Sequence, residues 1–365
     1  MEFNNIYKGK KVFITGNTGF KGSWLSTWLL NLGAEVHGFS LDIPTSPSMF
    51  EALELESKYK HTFGDIRNKE SLSTCINQIK PDFIFHLAAQ AIVSKSYKEP
   101  LDTISTNIMG TAVLLDILRE VEFECNCVLI TSDKAYENVE WIWGYRENDR
   151  MGGKDIYSGS KGATELIIHA YIQSFIRKKN NIKIATVRAG NVIGGGDWSS
   201  DRIVVDCINA FISDNCVELR SPSATRPWQH VLEPLSGYLT TGQLLHENRI
   251  TNCEAFNFGP SSEQIRTVFE LSSALETKWF GKSINKIKIT DNIPFEEATL
   301  LKLNCDKALA YMDWKATLDF DQIVDYIAEW YNCFYKQPAN IFEKTIAQIN
   351  EYTKIAKSKG IKWAE

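Results

Sequence analysis

The sequence predicts an α/β protein, a doubly wound parallel sheet that carries a smaller, mainly helical lobe. Three observations predict it. Strand-like and amphipathic helical stretches alternate through the first half of the chain. A glycine-rich turn lies directly between the first strand and the first helix. After Gly190 the alternation breaks, and the segments that follow are mostly helical.

Val12 to Thr15 reads as the first strand, and Gly22 to Leu32 as a helix that Gly33 ends. Further strands are expected at Glu35 to Ser40, His61 to Gly64, Asp82 to Ala88, Cys127 to Thr131 and Ile182 to Arg188. Helices fit between them at Lys69 to Ile79, Pro100 to Val121 and Tyr157 to Arg177. Gly190 to Pro227 is irregular, with one helical segment near Val204 to Phe211. Thr267 to Phe280, Lys307 to Met312, Asp321 to Phe334 and Ile341 to Ser358 read as helices with little strand between them.

A chain of 365 residues can bury a large core, and 44% hydrophobic with 23% charged residues is ordinary for a folded protein. A formal net charge of -5 carries no polyanion footprint, which argues against nucleic acid as a partner. No apolar run reads as long enough to span a membrane, and no leader with a small-residue cleavage site opens the chain. A cytoplasmic location without membrane association is therefore expected. The eight cysteines are scattered and form no CxxC pair, so they read as reduced, with no metal site among them.

Thr15-Gly16-Asn17-Thr18-Gly19-Phe20-Lys21-Gly22 sits between a strand and a helix. Its GxxGxxG spacing allows a tight turn and brings backbone amides onto a pyrophosphate at a helix N-terminus. Gly16, Thr18, Gly19, Phe20 and Gly22 are the cofactor-binding candidates of a Rossmann-type domain. That domain is assigned to residues 9–190 and about 228–260. About 191–227 with 261–345 forms a substrate-binding lobe, and 346–365 a helical tail without an assigned role.

Three more stretches follow the glycine turn in order: Gly64-Asp65-Ile66-Arg67, His86-Leu87-Ala88-Ala89-Gln90 and Tyr157-Ser158-Gly159-Ser160-Lys161. Together they resemble the extended short-chain dehydrogenase/reductase family. The resemblance implies that Asp65 and Ile66 meet the adenine, and that Leu87, Ala88, Ala89 and Gln90 lie beside the cofactor ribose. Where that family often carries an acid for the adenosine ribose, this chain has Ser40, with Asp42 two residues later. No Arg or Lys follows closely, so NAD is expected rather than NADP.

Tyr157 and Lys161 are four apart at the start of a helix and share a face. A tyrosine near pKa ~10 is a poor base, and a neighbouring ammonium with the nicotinamide charge is expected to lower it. The family resemblance adds Ser132, completing a Ser–Tyr–Lys set. The next residues, Asp133 and Lys134, resemble the ionisable pair of 4,6-dehydratases, whereas epimerases carry small or non-acidic residues there. The implied chemistry is oxidation at C4 of a hexose, loss of the C6 hydroxyl assisted by Asp133, and return of hydride to C6. Lys134 is the candidate C5 base, with Tyr136 or Glu137 nearby.

Asn191, Arg202, Arg226 and His230 match the family's nucleotide-sugar contacts, and guanidinium forks suit diphosphate oxygens. Longer strings, among them Trp141 through Asp149, Gly194-Gly195-Gly196-Asp197-Trp198 and Ala224 through Leu235, resemble CDP-glucose 4,6-dehydratases. Trp141 and Trp143 could equally stack on a ligand or pack a loop, and they are left out of the site. The alternatives are a UDP-N-acetylhexosamine 4,6-dehydratase, a nucleotide-sugar 4-epimerase, or an NAD-binding sensor or scaffold with a silent site. The resemblance also implies a homodimer or homotetramer built on the helices at Pro100 to Val121 and Tyr157 to Arg177. A role in deoxysugar synthesis for surface polysaccharide would follow.

Overall fold

Seven strands form one all-parallel sheet: β1 (Lys11–Thr15), β2 (Glu35–Ser40), β3 (Lys60–Phe63), β4 (Phe83–His86), β5 (Cys125–Ile130), β6 (Ile182–Ala189) and β7 (Glu254–Phe258). Their spatial order is β7-β6-β5-β4-β1-β2-β3, with every pairing parallel. The computed structural model describes residues 2–261, 264–290 and 301–365. Residues 262–263 and 291–300, part of the lobe assigned from sequence, lie outside the described residues.

The chain winds outward from β1 through β2 to β3, then crosses back to place β4 on the other side of β1. This reversal opens a crevice at the carboxyl end of β1, where Thr15 pairs with both Phe39 and His86. Helices cover both faces, so the central strands are buried on both sides and read in sequence as continuous apolar runs. One face packs Phe13, Ile84, Cys127 and Leu129 against α2 (Lys69–Ile79), α3 (Pro100–Leu118) and α4 (Ile156–Tyr171). The other packs Val12, Ile14, Val128 and Val187 against α1 (Phe20–Asn31) and later helices. The Rossmann-type α/β expectation is met.

Helix α3 contains a π turn at Ser105–Met109, and α4 runs into another at Ile172–Ile176. By length and composition α3 is apolar enough to cross a membrane, against the expectation that no segment is. Its Leu114, Leu115, Ile117 and Leu118 are buried in the core, while Leu101, Ile104 and Met109 are exposed.

In the second half the lobe carries α5 (Ile203–Ile212), and the chain returns to the sheet through α6 (Leu232–His246) and β7. Neither α6 nor β7 is anticipated as an element from sequence. Helix α6 is buried on all sides from Leu232 to Leu245, so no polar stripe marks its period. Three two-stranded ladders add more strand than the sequence suggests, each only two or three residues long: Val192–Ile193 with Gln229–His230, Thr225–Pro227 with Ile265–Thr267, and Val217–Leu219 with Ile287–Ile289. Further helices among the described residues are α7 (Val268–Phe280), α8 (Asp306–Met312), α9 (Phe320–Lys336) and α10 (Ile341–Ser358). Thr267 with Glu270 and Asp319 with Gln322 start α7 and α9 with capping boxes.

The tail that sequence leaves without a role packs on the first helix. Tyr352 of α10 meets Trp28 of α1 edge to face at 5.7 Å, and Asn31 Nδ2 donates to Asn350 Oδ1 at 3.1 Å. Trp363 stacks on Tyr352 at 5.6 Å and on Phe3 at 5.0 Å. All eight cysteines are free.

Candidate active site

Gly16 leaves β1 with φ +75°, and a Cβ there would lie 2.7 Å from the Ala88 backbone nitrogen. A Cβ on Gly22 would lie 2.1 Å from the Gly16 carbonyl oxygen. The two glycines therefore let the turn press on the end of β4 and the helix press on the turn. Helix α1 begins at Phe20, two residues earlier than expected, with Gly19 as an N-cap that makes no side-chain bond. Its first-turn amides have no intrahelical acceptors and suit an anion. The cradle fits a dinucleotide pyrophosphate.

Asn17 holds this turn, a role the sequence reading missed. It is fully buried, and its Nδ2 donates to the Tyr59 hydroxyl at 2.9 Å and approaches His61 Nδ1 at 3.0 Å. Ser40 Oγ donates to Asn17 Oδ1 at 2.7 Å and accepts from the Thr18 amide at 3.3 Å. Ser40 thus secures the glycine turn, while Asp42 stands exposed beyond β2 and accepts from Thr18 Oγ1 through its carbonyl at 2.6 Å. Asp65 is gripped by Arg67, whose hydrogen bonds hold the carboxyl below the usual carboxylate range. Arg67 also pairs with Asp102 of α3 at 2.7 Å. Ile66 is buried against Gly110.

At the end of β4 the Leu87 amide donates to the Thr15 carbonyl at 3.0 Å, and the Ala88 amide to Thr15 Oγ1 at 3.3 Å. Ala89 is half-buried. The Gln90 amide donates to Asn107 Oδ1 at 2.8 Å. Asn107 lies in the π turn of α3 and also donates to Ser160 Oγ at 2.9 Å, tying the end of β4 to α4. It too escaped the sequence reading.

Ser132 caps a short 3-10 turn, Asp133–Ala135, and accepts from the Lys134 amide at 3.2 Å. Ser132 Oγ donates to Asp133 Oδ1 at 3.0 Å and lies close enough to Tyr157 to favour its phenolate. The Lys161 ammonium lies 5.9 Å from the Tyr157 ring centroid. Burial pushes the Tyr157 phenol up, opposed by the charge of Arg202 and the Ser132 hydrogen bond. The expected lowering is thus not met by the protein's own groups, because desolvation outweighs them. Burial brings Lys161 down to about 8, opposed by Glu165.

Asp133 is 4% exposed, and burial pushes its carboxyl up against the opposing pull of Lys134, Ser132 and Lys21. Its Oδ2 rests where a Cβ on Gly190 would be, 2.4 Å away. Asp133 and Gly190 line a small pocket with Pro227, Gln229, Leu301 and Leu303. Lys134 is half-buried, and its charge acts on Asp133. Lys21, which the sequence reading passed over within the glycine motif, is brought down to about 8 by burial and by the charge of Arg202; Asp133 and Lys161 also act on it.

Behind these groups Arg188 Nε donates to Glu165 Oε1 at 2.8 Å and its second arm to Glu165 Oε2 at 3.0 Å. Thr131 Oγ1 donates to the same Oε1, and Arg188 also donates to the Tyr136 hydroxyl at 2.6 Å. The pair locks α4 to β6, and Thr131 ties in the end of β5.

On the substrate side, Asn191 is half-buried beside Gly190, and its carbonyl accepts from the Gln229 amide at 3.3 Å. Arg202 is exposed as the N-cap of α5, with its charge acting on Tyr157 and Lys21. Arg226 is half-buried, and its guanidinium donates to the Thr225 carbonyl at 2.9 Å. His230 requires a correction. It is fully buried between Trp24 and Tyr326, at 5.7 and 5.4 Å, and burial takes it down to about 3. It is a neutral core side chain, out of reach of a ligand.

The GDP-mannose 4,6 dehydratase family profile matches residues 13–327. A CDP-glucose 4,6-dehydratase of Salmonella typhimurium is 45% identical over 334 residues, 90% of this chain and 92% of that protein. Among solved structures, a dTDP-glucose 4,6-dehydratase of Bacillus anthracis in complex with NAD is similar with a TM-score of 0.73 at 20% identity, covering 89% of this chain and 97% of that one. A UDP-glucose 4-epimerase of Thermotoga maritima with UDP-glucose gives 0.76 at 20% identity, covering 89% of this chain and all of its own. The two structures support the fold.

Proposed function

The chain belongs to the GDP-mannose 4,6-dehydratase family of enzymes, and on that premise we propose that it is an NAD-dependent CDP-glucose 4,6-dehydratase. One observation carries the choice of dehydratase over epimerase: a buried acid, Asp133, adjoins Ser132 and the Tyr157–Lys161 pair. Burial keeps that carboxyl protonated to higher pH, as donation to a departing hydroxide requires.

Gly16, Gly19, Gly22 and the first turn of α1 would hold the dinucleotide, with Asp65, Leu87, Ala88, Ala89 and Gln90 around it. Bound there, NAD supplies a hydride acceptor that later gives the hydride back. Ser132 orients the C4 hydroxyl, and Tyr157 takes its proton, helped by the Lys161 ammonium. Lys134 removes the C5 proton once C4 is a ketone, and Asp133 protonates the leaving C6 oxygen. Asn191, Arg202 and Arg226 hold the diphosphate. The cofactor domain comprises 9–190 with about 228–260, and about 191–227 with 261–345 forms the substrate lobe.

Leu101, Ile104 and Met109 of α3 and Leu166 of α4 are exposed apolar side chains, which suits a two-fold helical interface between copies. Leu166→Glu should then lower the mass seen by light scattering. We place the enzyme in the cytoplasm, supplying deoxysugars for surface polysaccharide. Turnover of CDP-glucose against UDP-, GDP- and dTDP-glucose tests the reading. Formation of a 4-keto-6-deoxy product from CDP-glucose at the highest kcat/KM supports it, and preference for another nucleotide or a simple C4 epimer overturns it.

A further inference from the structure

Outside the reacting centre, the lobe holds an open cleft of about 940 Å³ lined by Asp206, Asn209, Glu218 and Arg220, with Val217 and Thr290. Helix α5 connects it to the chemistry. The helix starts from Arg202, whose charge reaches Tyr157. Positions 202, 206 and 209 fall on one helical face, and the Asp206 amide donates to the Arg202 carbonyl at 2.9 Å. At the rise of an α-helix, Asn209 lies about 10 Å along the axis from Arg202. A ligand whose diphosphate rests on Arg202 can therefore run its nucleoside along α5 into the cleft. On the opposite wall, Val217 and Leu219 point into the core and Glu218 points out. Burial pushes the Asp206 carboxyl up, and the Arg220 charge opposes this from the side of Glu218.

We propose that this cleft reads the base, with the Asp206 and Glu218 carboxylates selecting cytosine by accepting its exocyclic amine. The proposal rests on the nucleotide-sugar reading above and extends it to the base. Cytosine presents an amine donor where uracil and thymine present a carbonyl oxygen. Ionised carboxylates only accept, so they attract the first and repel the second. The amide of Asn209 and the guanidinium of Arg220 supply the donors that the remaining cytosine acceptors need.

The test measures kcat/KM for CDP-glucose and UDP-glucose in the wild type, Asp206→Asn, Glu218→Gln and the double variant. It is paired with calorimetric titration by CMP and UMP. An amide can donate to the uracil oxygen, so the double variant should lose about 10- to 100-fold on CDP-glucose, mainly in KM, while UDP-glucose holds or improves. Its preference for CMP over UMP should shrink in parallel. An unchanged CDP-to-UDP ratio in the double variant, or an equal loss on both substrates, overturns the base assignment alone. A wild type that neither turns over CDP-glucose nor prefers CMP overturns the substrate reading and this proposal with it.

Discussion

Replacing Gly190 by Ala moves the proposed acid without touching it chemically. The added Cβ would lie 2.4 Å from Asp133 Oδ2 and 3.0 Å from its Cγ, against an ordinary contact of 3.4 Å or more. The glycine cannot readily retreat, because its carbonyl accepts from Gln229 Nε2 at 3.2 Å. The carboxyl must therefore shift by about 1 Å, a misplacement that costs on the order of 10²-fold in rate. Overpacking should destabilise the fold by only about 1–3 kcal/mol, leaving the protein folded at assay temperature. We expect kcat on CDP-glucose to fall about 100-fold with KM near the wild-type value. Reduced nicotinamide should accumulate in single-turnover absorbance, because C4 oxidation precedes the blocked elimination. In an Asp133→Asn background the added methyl should cost little more. A folded Gly190→Ala enzyme turning over within threefold of wild type would refute the placement of Asp133 as the acid.

Arg188→Met leaves Glu165 as an unpaired buried carboxylate and should destabilise by about 3–5 kcal/mol in urea unfolding; Arg188→Met with Glu165→Leu should recover most of it, and equal midpoints for single and double variants would count against the pair. Glu233 is fully buried, accepts from the Thr317 and Leu318 amides and from Tyr352, and is raised by burial to about 7. As pH rises from the usual carboxylate range towards 7, the unfolded chain loses this proton first, so the raised group lowers stability by up to about 3 kcal/mol. Glu233→Gln should flatten that decline in urea midpoints taken between pH 4.5 and 8, and an unchanged slope would clear Glu233 of it. Lys134→Met should slow incorporation of solvent deuterium at C5; exchange at the normal rate would remove Lys134 as the base.

The first half of the fold is legible because strands buried on both faces leave unbroken apolar runs, and because the glycine turn fixes where strand gives way to helix. Helix α6 is hidden for the converse reason: burial on every side erases the period that marks an amphipathic helix. The order of the motifs singles out Tyr157 and Lys161, and the family resemblance adds Ser132 and Asp133. Contacts across the fold remain invisible in it: Asn107 reaches Ser160 over 53 residues, and Gly190 matters through a carboxyl 57 positions earlier. His230 shows the limit from the other side. A residue type in a familiar string carries no sign of whether it faces the ligand or the core, and here Trp24 and Tyr326 enclose it.

The most direct measurement follows deuterium from C4 of the sugar. With CDP-glucose labelled at that carbon, the convergence of Ser132, Asp133, Tyr157 and Lys161 on one hexose predicts a 4-keto-6-deoxy product carrying the label at C6. Label that stays at C4 in an epimerised hexose, or is absent from C6 of the product, would contradict it.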